Sequence, residues 1–194
     1  MIFETVIAAI IAFIGTNIDD IFINMFFFAQ ADTKSKTKFI VWGKYLGIGV
    51  LVLLSFLGAY GFKVVMQKYI RFLGLVPIAL GVKEWFQYLK NKKRTSTEQL
   101  AENDTRAKGL VLNVALVTMA NGADNIGVYV PLFAAYSMAQ MATVLLAFTV
   151  MIALWCFLGK KLSDLSVLRN FLMKYKWILI PVVFILLGLY ILIK

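Results

Sequence analysis

The chain has 194 residues, 61% of them hydrophobic, with 20 Lys+Arg against 10 Asp+Glu and a formal net charge of +10. A soluble domain is about 45–50% apolar, and here the excess falls in long blocks that are apolar all round. That excludes a soluble helical core and makes the basic excess a matter of membrane topology rather than nucleic-acid binding. With one cysteine, Cys156, and no histidine, neither an internal disulfide nor a Cys/His zinc cluster can form.

Six apolar segments are expected, at about 2–29, 38–62, 70–89, 109–136, 139–159 and 175–193. Each is about the 20 residues that cross ~30 Å of hydrocarbon as a helix, or longer. The first opens with MIFETVIAAIIAFIG, which has no basic flank and carries Glu4, so it reads as a retained span rather than a cleaved signal. Its second half holds the unusual stretch TNIDDIFIN (16–24), with Asn17, Asp20 and Asn24 at i, i+3 and i+7, and Thr16 and Asp20 at i, i+4. Segment two contains Gly43 and Gly47, a GxxxG signal for close helix contact. Lys44, Lys83 and Glu84 lie a turn or two inside the cytoplasmic boundary. Snorkelling accounts for the lysines, and the alternative makes Lys83 and Glu84 part of a gate. The polar run 90–108 then joins the third segment to the fourth, where Asn121 stacks with Asp124 and Asn125. Cys156, in segment five, reads as a buried apolar residue.

The connections after segments one, three and five hold 14 basic residues and the opposite side holds 4, which places the odd connections in the cytoplasm and both termini outside. The chain also repeats itself. TNIDDIFI (16–23) resembles NGADNIGV (121–128), and LVPIAL (75–80) resembles LIPVVF (179–184). The expected fold is an all-α integral membrane protein of six transmembrane helices, built as two inverted three-helix repeats. Repeat one spans 1–89, a cytoplasmic loop 90–108, and repeat two 109–194.

A carboxylate at the bilayer midplane costs at least ~2.5–3.5 kcal/mol, so Asp19, Asp20 and Asp124 must face the interior, a partner or water. With Asn17, Asn24, Asn121 and Asn125 they form a set of hard oxygen ligands suited to a divalent cation. The plainer reading is interhelical polar glue, and the lack of an Arg at matching depth argues against it. Thr16, Met119 and Glu84 are secondary candidates, and Met25 is a possible thioether. Gly15, Gly122 and Gly127 flank the motifs, either to break a helix and free its carbonyls or to let helices pack closely. No GxxxxGK[ST] loop is present, so any transport runs on a gradient, with the carboxylates as proton carriers.

GTNIDDIFINMFFFAQ together with MANGADNIGVYVPLFA resembles the bacterial cadmium-resistance transporter family of the CadD type, within the lysine-exporter superfamily. The resemblance covers nearly the whole chain. It implies efflux of Cd²⁺, with Zn²⁺ or another divalent metal as further cargo, across the cell membrane of a Gram-positive bacterium; related superfamily members move Mn²⁺, Ca²⁺ or amino acids. Cadmium is soft and the motifs are oxygen-rich, a tension that the sequence leaves open. The leading expectation is a divalent-cation exporter running metal/proton antiport, not an enzyme. It would be a monomer or homodimer in the lipid bilayer, with no cofactor beyond the metal it carries. An exporter of organic cations or amino acids, and a non-transporting membrane assembly protein, are the alternatives.

The topology is tested by cysteine labelling in a Cys156→Ser background. A cysteine placed at position 100 should react with membrane-impermeant reagent from the cytoplasmic side alone.

Overall fold

The computed structural model describes residues 2–66, 72–73, 75–89, 107–163, 178, 181–182 and 184–193, with the side chains at 63–66, 84, 87–89 and 107–108 outside the description. The basic connections at 90–106 and 164–177, which carry much of the topology count, fall outside these residues, as do positions 175–177, 179–180 and 183 of the expected sixth segment.

Among the described residues every regular element is a helix: α1 (Ile2–Asn17), α2 (Asp20–Ala29), α3 (Lys34–Met66), α4 (Leu75–Leu89), α5 (Ala107–Asn121), α6 (Ala123–Ala134), α7 (Met138–Ser163) and α8 (Phe184–Ile193). Segments two and five are continuous. Lys34–Phe62 and Met138–Ser163 have mean hydropathies of 2.0 and 2.4 and are long enough to cross a membrane unaided.

Local chemistry sets their starts. The Thr33 hydroxyl accepts the Lys36 N–H at 3.2 Å ahead of α3. Ser137 and Gln140 form a reciprocal cap on α7. The Ser137 N–H donates to Gln140 Oε1 at 3.1 Å, and Ser137 Oγ accepts the Gln140 N–H at 3.4 Å. Lys160 and Lys161 close α7 at the end where the helix dipole is negative.

Segments one and four are not continuous. The first breaks between Asn17 and Asp20 and bends by 65°, and the fourth breaks at Gly122. Both breaks fall on the acidic motifs. The expectation of one face shared by Asn17, Asp20 and Asn24 is therefore corrected. Asn17 ends one helix while Asp20 and Asn24 begin the next, and the bend sends them to different neighbours.

The helices pair in two sets. α3 lies along α5 and α6, and α7 lies along α1 and α2; α1 also meets α6, and α4 packs on α6. The α3–α5 seam is tight because it is built on glycine. A Cβ at Gly43 would sit 2.7 Å from the Val111 carbonyl oxygen and from Val114 Cβ. One at Gly47 would sit 2.7 Å from Thr118 Cβ and 2.9 Å from the Ala115 carbonyl oxygen. The GxxxG signal thus marks a real backbone approach. Gly122 and Gly127 serve packing as well, since Cβ atoms there would meet Leu51 and Leu80 at 2.2 and 2.6 Å.

Gly47→Val should lower the thermal midpoint of the purified protein by the equivalent of ~1–3 kcal/mol, the usual cost of overpacking. Gly49→Ala, whose Cβ meets nothing within 4 Å, should leave it unchanged or raise it slightly.

Candidate functional site

Two neighbouring polar centres lie where the helix breaks meet, and they differ in how well their groups are satisfied. The first joins α1 to α6. Thr16 Oγ1 and Tyr129 Oη are 3.0 Å apart. Asn17 Nδ2 donates to Tyr129 Oη at 3.0 Å and to Thr16 Oγ1 at 2.9 Å. Asn125 Nδ2 donates to Tyr129 Oη at 2.9 Å and to Thr16 Oγ1 at 3.2 Å. Thr16 also bonds back to the Ala12 carbonyl at 3.0 Å, and Asn17 to that of Phe13 at 2.9 Å. All four side chains are buried. Beneath them Phe13, Phe148 and Trp155 form an edge-on aromatic layer, and the Trp155 indole N–H donates to the Asn17 carbonyl at 2.6 Å. One carbonyl freed by the break is thereby occupied by the protein itself. The two acidic motifs are therefore in direct contact. Thr16, Asn17 and Asn125 meet there around Tyr129, a residue that the motif comparison did not single out as a ligand.

The second centre lies on α2, α3 and α5. Lys44 Nζ donates to Asp20 Oδ2 and, at 3.1 Å, to Thr118 Oγ1. Lys44 is 1% exposed and Asp20 3%. This corrects two expectations. Lys44 does not snorkel, because the Gly43–Gly47 seam carries it inward against α5. The midplane carboxylates also have a cationic neighbour, a lysine rather than an arginine. Lys83, by contrast, is exposed, and Glu84 belongs to α4 with its side chain outside the described residues.

The partners of Asp20 do not use it up. Asp20 Oδ1 is buried without a hydrogen bond, and so are both Asn24 Oδ1 and Asn24 Nδ2 one turn later on the same face of α2. Such orphans are rare in native interiors and call for a ligand or a change of state.

Asp19 is half-buried at the N-cap of α2, where its carbonyl accepts the Phe22 N–H at 3.2 Å. Asp124 is half-buried in the first turn of α6, and its Oδ1 accepts the Asn125 N–H at 3.1 Å. All three aspartates thus stand at the N-terminal ends of half-helices. Asn121 and Met119 are half-buried near the end of α5, and Met25 is buried in the core. Among the described residues, no three Asp, Glu, His or Cys side chains gather into a group that could hold a metal ion.

Apolar helices long enough to cross a membrane, one of them broken over a buried polar and charged interior, define an all-helical membrane protein with an ionisable core. No curated protein and no solved structure matches the chain. A family model does: the cadmium resistance transporter model matches residues 13–194, so the chain belongs to the cadmium resistance transporter family. The family is one of transporters, not of enzymes, and suggests a role in cadmium efflux.

The ion pair is the first thing to test. Lys44→Met leaves the buried Asp20 carboxylate uncompensated and should cost ~3–5 kcal/mol of stability, read as a fall in thermal midpoint in detergent. Adding Asp20→Asn to it should restore most of the loss. Equal, additive losses from the two single changes would show that the pair is not coupled.

Proposed function

We propose that the chain exports a divalent cation, Cd²⁺ with Zn²⁺ or Mn²⁺ as further cargo, by metal/proton antiport and so confers cadmium resistance. The observation that carries this reading is the set of buried, unpartnered ligand atoms on Asp20 and Asn24 beside a saturated polar hub. Polar glue is saturated when the bundle is closed, as at Tyr129. A carrier site keeps unmet donors and acceptors for its cargo. Asp19 and Asp124 supply further carboxylates at the breaks, with Asn121, Met119 and Thr16 close by in sequence.

The six-span architecture with inverted repeats belongs to the same reading, as does the wider lysine-exporter grouping. The paired helix contacts support it. Exchanging the halves turns α3 along α5 and α6 into α7 along α1 and α2. Two broken helices meeting at a repeat interface are a recurrent way to bury a transport site near the midplane.

The mechanism follows from charge. An empty carrier cannot cross its own transition with bare carboxylates in a low-dielectric core. Lys44 neutralises Asp20 when no metal is present. Asp19 and Asp124 take up protons or the metal ion in turn as the carrier cycles. Metal bound from the cytoplasm leaves outside, protons enter in its place, and the neutral carrier returns.

Inside-out vesicles loaded with a pH-sensitive dye test the coupling. Their lumen corresponds to the cell exterior, so cadmium added to the bath should raise the lumenal pH as protons leave. Asp19→Asn and Asp124→Asn, which keep shape but cannot carry a proton, should abolish the signal. In cells, raising the external pH should weaken efflux. Metal movement at an unchanged rate with the proton gradient collapsed would sink antiport.

A further inference from the structure

Cadmium is thiophilic, yet the acidic motifs offer oxygen and amide groups. The one thiol of the chain, Cys156, lies far from the motifs in sequence and is 4% exposed within α7. The packing of α7 brings it to them. Gln140 of α7 donates to Thr5 Oγ1 at 3.2 Å, Trp155 to the Asn17 carbonyl at 2.6 Å, and a Cβ on Gly159 would lie 2.7 Å from Asn24 Cβ. These contacts advance together along both chains, so α7 runs parallel to α1 and α2.

Cys156 stands one turn before Gly159 on the same face, as Asp20 stands one turn before Asn24. The register therefore sets Cys156 against Asp20. Its thiol lies within electrostatic reach of both Asp20 and Lys44. The glycine at 159 matters here, because any side chain at that position would push Asn24 away.

Resting on the exporter reading, we propose that Cys156 is a sulfur ligand for a soft divalent cation, completing a site with Asp20 Oδ1 and the Asn24 carboxamide. A lone buried cysteine would ordinarily be a packing residue. The three unpartnered atoms on Asp20 and Asn24, side chains that are 3% and 0% exposed, distinguish this one. Lys44 holds only Oδ2 of Asp20 and leaves Oδ1 for the ion. Binding forms a metal–sulfur bond and releases the thiol proton to solvent. The thiolate and the carboxylate then supply two negative charges against the ion's two positive ones, and the Lys44 ammonium leaves the loaded centre with a single positive charge.

Cadmium and manganese titrations of the purified full chain in detergent test the site, with Mn²⁺ as the hard-ion probe. Wild type should develop the ultraviolet charge-transfer band of a cadmium–thiolate bond. Cys156→Ser should lack the band and lose on the order of tenfold or more in Cd²⁺ affinity, with a much smaller loss for Mn²⁺. Cys156→Ala guards against a folding defect, with metal-free thermal midpoints as the check. Should wild type bind and export cadmium with no such band, or should the serine variant keep wild-type selectivity, the sulfur ligand is wrong while the exporter stands. Should wild type bind no cadmium at all, both fall together.

Discussion

Inside a bilayer no water is at hand to satisfy a backbone group or a charge, so every polar atom must find its partner within the protein. This chain breaks one apolar segment at Asn17–Asp20 and another at Gly122, and the rest of the interior is arranged around those two interruptions. Trp155 takes up the Asn17 carbonyl. Tyr129 gathers Thr16, Asn17 and Asn125 into one hydroxyl-centred knot across the halves. Lys44 is brought to Asp20 by a seam that only glycine at 43 and 47 allows. Removing any of these partners leaves a buried group stranded, which costs more than the hydrogen bond itself was worth.

Much of this was legible in the sequence, and the reasons are physical. Continuous apolar runs show through composition alone, so segments two and five emerge close to α3 and α7. The GxxxG spacing foretold the α3–α5 contact, because a missing Cβ has one common use in a tightly packed helix pair. TNIDDIFI and NGADNIGV, alike in sequence, lie in contact, with Asn125 donating to Thr16.

What stayed hidden depended on direction. Periodicity assumes a helix that continues, so Asn17, Asp20 and Asn24 read as one face. A 65° bend between the first and the second divides them. Lys44 read as a snorkelling residue because its distance from the segment end is short, and distance along a helix does not say which way the side chain turns. Tyr129 gave no signal in the motif spacing, yet its hydroxyl is the hub of the junction. Cys156 read as a buried residue of segment five, and it is one, but which motif it neighbours depends on the register of α7.

The two polar centres suggest a division of labour. The Tyr129 knot is saturated and ties the end of α1 to α6. The Asp20–Lys44 centre is the opposite case. It is neutral as a pair and incomplete in its hydrogen bonds. A site that is charge-balanced but not hydrogen-bond-balanced can stay closed without cargo and still prefer to hold it. In the exporter proposed above, an arriving divalent ion would compete with an ammonium that is tethered, always present and weaker in charge. A doubly charged ion can win that contest without binding so tightly that it fails to leave, and a carrier needs both properties. In that proposed exporter the tether would set an upper limit on how tightly Asp20 could hold a cation, and lysine in place of arginine would keep that limit modest, since a guanidinium fork would grip both carboxylate oxygens and leave none for the ion.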